Sequence, residues 1–162
     1  MQLPPVDHIR RTREQYGALG YAPYTWVVNA TPPPFQALQK PLADSRLALI
    51  SSGGVYAAGQ VAFHYKDDIS LRVIPSATDV AQLRATHFAY DLTDARKDPN
   101  VVLPLQALRA QVANGHLGEL AGNAYTFMGG IYSARKVRDL IAPELIRRLR
   151  DDAVDVALMV PV

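Results

Sequence analysis

Cysteine is absent from the 162 residues, so no disulfide, cysteine-ligated zinc or thiol nucleophile exists within them. Long apolar runs are missing too. No stretch reaches the ~18 consecutive apolar residues of a membrane-spanning helix. The opening MQLPPVDHIRRTREQYG has no apolar signal-peptide core. The expectation is a cytoplasmic protein that does not bind membranes. Neither sign of charge dominates: 17 basic against 15 acidic residues leave a net charge of +2. The basic clusters HIRRTR and RRLR are short and read as solvated faces, so no nucleic-acid partner is expected. RRLR (147–150) also closes a helical pattern, where cations meet the negative end of the helix dipole. G-x-G-x-x-G, Walker A, G-x-S-x-G, H-E-x-x-H and Cys-x-x-Cys are all missing. Nucleotide-binding, common hydrolase and metalloprotease readings therefore have no signature. There is no internal repeat and no low-complexity segment.

What is present suits a soluble globular domain: 49% of residues are hydrophobic and 20% charged. A chain of this length buries roughly 70% of its unfolded surface, enough for a core without staples. The sequence divides into 1–40, a polar helix over 6–19 starting near Asp7 and a proline-rich arm, and 41–162, an α/β domain. Pro32-Pro33-Pro34 holds the arm extended, and Tyr24, Trp26 and Phe35 are its expected anchors on the body. Arg46–Ile50 is a compact apolar run ending in Ser-Ser-Gly-Gly, the form of a buried strand entering a tight loop. Residues 69–75 alternate as a strand, 79–84 suggest a short helix, and 124–130 a strand ending in two glycines. Leu105, Leu108 and Val112 lie at helical spacing before an Asn114-Gly115 stop. Over 134–151, Val137, Leu140, Ile141, Leu145 and Leu149 share one face, and Pro143 predicts a kink or break. Val154–Val162 reads as a strand buried in a parallel sheet. The alternation predicts a parallel or mostly parallel sheet with helices on both faces, Rossmann- or flavodoxin-like, its C-terminal elements missing.

Three loops qualify as sites because ligands of open α/β sheets bind beyond the carboxyl ends of strands. Ser51, Ser52, Gly53 and Gly54 follow the first strand. Glycines let backbone approach an anion and serines add donors, although a tight turn also needs glycine. The polar stretch 86–100 contains His87, Tyr90, Asp91, Asp98 and Asn100. On a helix, His87 and Asp91 would share a face and form an acid/base pair or hold a metal. On a loop, the aspartates would cap turns instead. Phe127 and Met128 read as pocket wall or core. His8, His64 and His116 read as surface residues.

Taken together, PPPFQALQKPLADSRLALISSGGVY, THFAYDLTDARKDPNVVLPLQALRAQVANGHLGELAGNAYTFMGG and DDAVDVALMVPV resemble the selenoprotein B family. The family is the substrate-activating component of the glycine, sarcosine, betaine and D-proline reductases. The likeness runs in order over 32–162. It is carried by His-x-x-Tyr-Asp, Asp-x-Asn-x-Val-x-Pro-Leu, Gly-x-Leu-Gly and Phe-Met-Gly. In that family the strand matching VDVALMVPV is followed at once by a cysteine or selenocysteine motif, whose thiolate or selenolate attacks the substrate. The resemblance therefore implies a nucleophile beyond Val162 or on a partner. A UGA codon read as a stop, a truncated or split gene, and a short relative without the chemistry all fit. It implies a subunit or fragment that forms the pocket for reductive cleavage of a small amino-acid-like substrate. It also implies that this component binds no cofactor or metal. His87 and Asp91 would be its catalytic groups, and Ser51, Ser52, Gly53, Gly54, Tyr90, Asp98, Asn100, Phe127 and Met128 would rim the pocket. The final strand's bare edge implies a homo-oligomer or a second chain completing the site. The rival reading is a non-redox small-molecule-binding protein, or a His/Asp-based enzyme with or without a metal.

Overall fold

A computed structural model describes residues 6–23, 25 and 28–162. It divides into two compact units, Met1–Gln36 and Ala37–Val162. The expected anchors Tyr24 and Trp26 lie outside the described residues. Phe35 is 91% exposed.

The first unit carries α1, His8–Ala18, and shows how local signals suffice for a helix. Asp7 Oδ1 accepts the Arg10 N–H at 3.0 Å, capping the N-terminus. At the other end Gly20, at φ +76°, donates to the Gly17 carbonyl, and Tyr21 donates to that of Tyr16. These two bonds are a Schellman closure, and the Tyr16 and Tyr21 rings complete it at 5.9 Å.

The second unit is built around β1, Arg46–Ser51, whose residues from Leu47 onward are buried. The strands β5 (Glu119–Leu120) and β6 (Asn123–Thr126) run parallel to it along one edge, from Arg46↔Glu119 to Ser51↔Thr126. Along its other edge β7, Val156–Val160, is parallel from Leu47↔Val156 to Ser51↔Val160. Beyond β6 lies β3, Arg72–Pro75, which is antiparallel. A separate antiparallel ribbon pairs β2 (Val55–Ala57) with β4 (Leu83–Ala85), and a Gly53–Met128 bridge lies beside it.

Successive side chains of a strand point to opposite faces, so β1 supplies two cores. Leu49, with Ile74 and Ala124, joins Leu103, Leu105 and Leu108, the last two from α3 (Leu105–Ala113). Ile50, with Val73 and Tyr125, joins Val137, Ile141, Leu145 and Leu149. The helix behind this second core is composite. Ala134–Lys136 forms α4, Val137–Ile141 a π-turn, and Ala142–Asp151 the helix α5. The π-turn ends just before Pro143, placing it in the first turn of α5 where its missing N–H costs no bond. It also changes the helical phase. Leu140 leaves the apolar face and is 53% exposed, while Ile141 and Leu145 stay buried.

Three expectations need correction. The architecture is α/β with helical elements on both faces of β1. The sheet, however, is mixed and accompanied by an antiparallel ribbon, so it is not a plain parallel Rossmann or flavodoxin sheet. Residues 79–84 form only a 3₁₀ turn, Val80–Gln82, because Leu83–Ala85 pairs with β2. The last strand forms and is parallel, but it is the outermost one and not a buried one. Leu158 and Met159 are 37% and 62% exposed. An apolar run encodes a strand; its pairing partners decide whether it is central or peripheral.

The basic cluster at the end of α5 is largely paired. Arg147 bonds Glu144 and Asp151, and Arg148 bonds Glu144. No helix among the described residues is long and apolar enough to cross a membrane.

Candidate functional site

The carboxyl ends of β1, β6 and β7 meet at the Ser51–Gly54 loop. Ser51 is buried; its Oγ–H donates to the Val102 carbonyl at 2.7 Å and its oxygen accepts the Gly53 N–H at 3.1 Å. The Ser52 N–H donates to the Val160 carbonyl, and its Oγ accepts the Val162 N–H at 3.0 Å. The Gly54 N–H donates to the Phe127 carbonyl at 3.1 Å. All three N–H groups over 52–54 are thus engaged by protein acceptors, and the loop is no backbone anion cradle. Its glycines serve close packing instead. Gly54 sits at φ +65°, and a Cβ there would lie 2.0 Å from the Thr86 carbonyl oxygen.

Against this loop lies the segment that bears His87. Gly54 accepts the Thr86 N–H at 3.0 Å, and the Tyr90 hydroxyl donates to the Gly53 carbonyl at 2.8 Å. His87 is held between them, 7% exposed, its ring 4.8 Å from that of Tyr90 and stacked 5.7 Å from that of Phe88. Its Nδ1 accepts the Ala89 N–H at 3.0 Å. That bond assigns the neutral tautomer with its proton on Nε2. Nε2 is buried and has no hydrogen-bond partner among the described residues. A buried donor without an acceptor costs about 1–3 kcal/mol, so the fold maintains here a group that a bound acceptor would satisfy.

Burial lowers the His87 pKa below its ordinary 6.5, and the same burial raises the Tyr90 phenol. A depressed histidine pKa gives a definite sign to the pH dependence of stability. Below pH 6.5 the unfolded chain binds a proton at His87 that the folded chain resists, so stability falls there as pH falls. Above that value His87 adds no slope. Urea-unfolding midpoints measured from about pH 7.5 to about pH 5 should show this decline, and His87→Phe should flatten it. Identical slopes in both proteins would refute the burial effect.

The other expected site residues are placed as follows. Asp91 does not share a helix with His87, because α2 begins at Thr93 and ends at Lys97. Its exposed carboxylate accepts both the Thr93 N–H at 2.9 Å and the Thr93 hydroxyl at 2.7 Å, bonds that hold its pKa down. Asp98 accepts the Asn100 N–H and side-chain amide, and Asn100 Oδ1 accepts the Gln106 N–H at the start of α3. These two residues shape the turn next to Val102, whose carbonyl receives Ser51. Met128 is fully buried against Gly53. Phe127 and Ser52 line a mainly apolar cleft of about 200 Å³ with Ile50, Met159, Val160 and Pro161. Among the described residues no group of three or more His, Asp or Glu side chains is placed to hold a metal ion.

The structure adds Thr86, Phe88 and Tyr132, which sequence reasoning passed over. Thr86 holds Gly54, and the Phe88 ring lies 6.4 Å from that of Tyr132. The Gly129-Gly130 pair was the available signal, since a Cβ at Gly130 would lie 2.2 Å from Phe88 Cε1.

Residues 24–161 match the family described as glycine/sarcosine/betaine reductase selenoprotein B. The chain belongs to that family. It is 33% identical over 133 residues to D-proline reductase subunit gamma of Acetoanaerobium sticklandii, covering 82% of this chain and 55% of that protein. It is 26% identical over 126 residues to betaine reductase complex component B subunit beta of Peptoclostridium acidaminophilum, covering 74% of this chain and 28% of that protein. It therefore spans about half the length of the first relative and less of the second. No solved structure matches it significantly. Within the family match fall both the Ser51–Gly54 loop and the His87 segment.

Proposed function

We propose that this chain forms the substrate pocket of a reductase of the glycine, betaine and D-proline type. The attacking thiolate or selenolate comes from outside residues 1–162, and the substrate is a small amino-acid-like molecule whose carbon–nitrogen bond is cleaved reductively. The supporting observation is the buried, unpartnered Nε2–H of His87. The Ser52–Gly54 loop is bordered by both the end of β7 and His87: Val162 Cγ2 would touch a Cβ on Gly53 at 3.3 Å, and His87 Cδ2 one on Gly54 at 3.5 Å. In this reading a nucleophile arriving along the course of β7 meets the loop against which the imidazole packs.

In this reading Nε2–H donates to an acceptor atom of the substrate. Because Nδ1 accepts the Ala89 N–H, the ring stays neutral and acts as a fixed hydrogen-bond donor through Nε2, stabilising the charge that develops on that acceptor as the carbon–nitrogen bond breaks. Tyr90 fixes the loop opposite, and Ser52 and Phe127 border the neighbouring cleft. The relatives are named as subunits, and the exposed apolar edge of β7 suits a second chain, so the working enzyme is read as an assembly in the cytoplasm.

The test is an assay of the native assembly with a dithiol reductant and, separately, D-proline, glycine betaine, sarcosine and glycine. Dithiol-dependent consumption of one of these is expected. Reductant oxidation unchanged by all four would reject the reading.

A further inference from the structure

A second cleft, of about 330 Å³, opens on the β2–β4 ribbon, lined by Tyr56, Leu83, Arg84, Ala85, Thr86 and Arg96. It contains two guanidinium groups and no carboxylate. Arg84 Nη1 donates to the Ala81 and Leu83 carbonyls at 2.8 and 2.7 Å, which fixes the group while leaving its charge uncompensated. Arg96 forms no side-chain hydrogen bond or ion pair among the described residues. Its charge is felt by Asp91, whose pKa the Thr93 bonds chiefly hold down, and by Tyr90, whose phenol burial still raises, but neither pairs with it. Two like charges facing one cleft repel until an anion occupies it.

The walls indicate which anion. Guanidinium forks match the planar, two-oxygen geometry of a carboxylate. Tyr56 and Thr86 contribute hydroxyls, 3.4 Å apart. Leu83 and Ala85 turn their side chains to the opposite face, into the core, so the apolar surface comes from the Tyr56 ring, cross-strand from Arg84; an inorganic ion would leave it unused but an organic remainder would cover it. We infer that the cleft between Arg84 and Arg96 binds the carboxylate of a small organic acid. This site requires neither His87 nor a nucleophile, so it stands apart from the reductase reading. Thr86 links the two regions, since it borders the cleft, bonds Gly54 through its N–H and precedes His87.

Titration of the full chain with sodium acetate at constant ionic strength, followed by amide NMR, tests the inference. Saturable shifts at Thr86 and Arg96 are expected. Arg84→Gln and Arg96→Gln should each weaken binding about tenfold or more, the scale of one charge-assisted hydrogen bond. His87→Phe and Arg135→Gln should leave it unchanged. Should Arg84→Gln fail to fold through loss of its carbonyl contacts, Arg96→Gln decides alone. Shifts that never saturate, equal binding by every variant, or binding of inorganic phosphate but not acetate would overturn the inference.

Discussion

Replacing Gly54 with alanine should cost about 3 kcal/mol or more. The first contribution is conformational: a Cβ at φ +65° costs about 1–2 kcal/mol. The second is steric and larger, because the new atom would lie 2.0 Å from the Thr86 carbonyl oxygen, a backbone atom with no rotamer to relieve the contact. Moving Thr86 away breaks its N–H bond to the Gly54 carbonyl and drags His87 from its place. Gly59→Ala is the control. Gly59 has φ +90° but nothing within 4 Å of a Cβ, so only the conformational cost applies. Denaturant midpoints should rank wild type, Gly59→Ala and Gly54→Ala in that order, with the larger interval between the last two. Equal losses for both variants would mean that the contact with Thr86 contributes nothing.

Replacing His87 with phenylalanine should separate stability from function. The substitution leaves the Ala89 N–H without its acceptor, a loss of about 1 kcal/mol, but removes a buried unsatisfied donor worth about 1–3 kcal/mol. The ring volume, its stack on Phe88 and its tilted contact with Tyr90 are retained, so the fold should change in stability by no more than about 1 kcal/mol. Substrate turnover by the native assembly should nevertheless drop by about 10²–10³, the range for loss of a positioned hydrogen-bond donor. Measured as kcat at saturating substrate, a variant with wild-type turnover would remove His87 from the proposed chemistry. Lost turnover with an equally lost fold would mark it as structural.

The two units differ in how far their structure could be read from local signals. In α1 the Asp7 cap and the Gly20 stop sit within a few residues of what they bond, so the helix is written in the chain. The strand β1, the Asn114-Gly115 stop of α3 and the effect of Pro143 are legible for the same reason. The cost or gain arises from backbone geometry at the residue itself. The exposure of Leu140 was not legible, because a periodicity of 3.6 assumes an unbroken α-helix and the π-turn inserts a residue. At Asp91 the sequence left a helical pair and a turn cap open, and the turn cap is what forms. The spacing from His87 suits a helix, but α2 starts two residues after Asp91 and Thr93 takes its carboxylate.

By itself the sequence determined the α/β class, the strand core at 46–51, the glycine loop and the family, whose motifs lie in the order that family requires. The tertiary structure alone decided three further matters. It set β7 at the rim and β3 antiparallel, since strand order depends on contacts between segments far apart in the chain. It showed that the Ser52–Gly54 N–H groups are engaged internally. It also left His87 Nε2 buried without an acceptor and turned Arg84 and Arg96 into one cleft. Charge and hydrogen-bonding capacity belong to residue types, but whether either is satisfied depends on neighbours that only folding brings together.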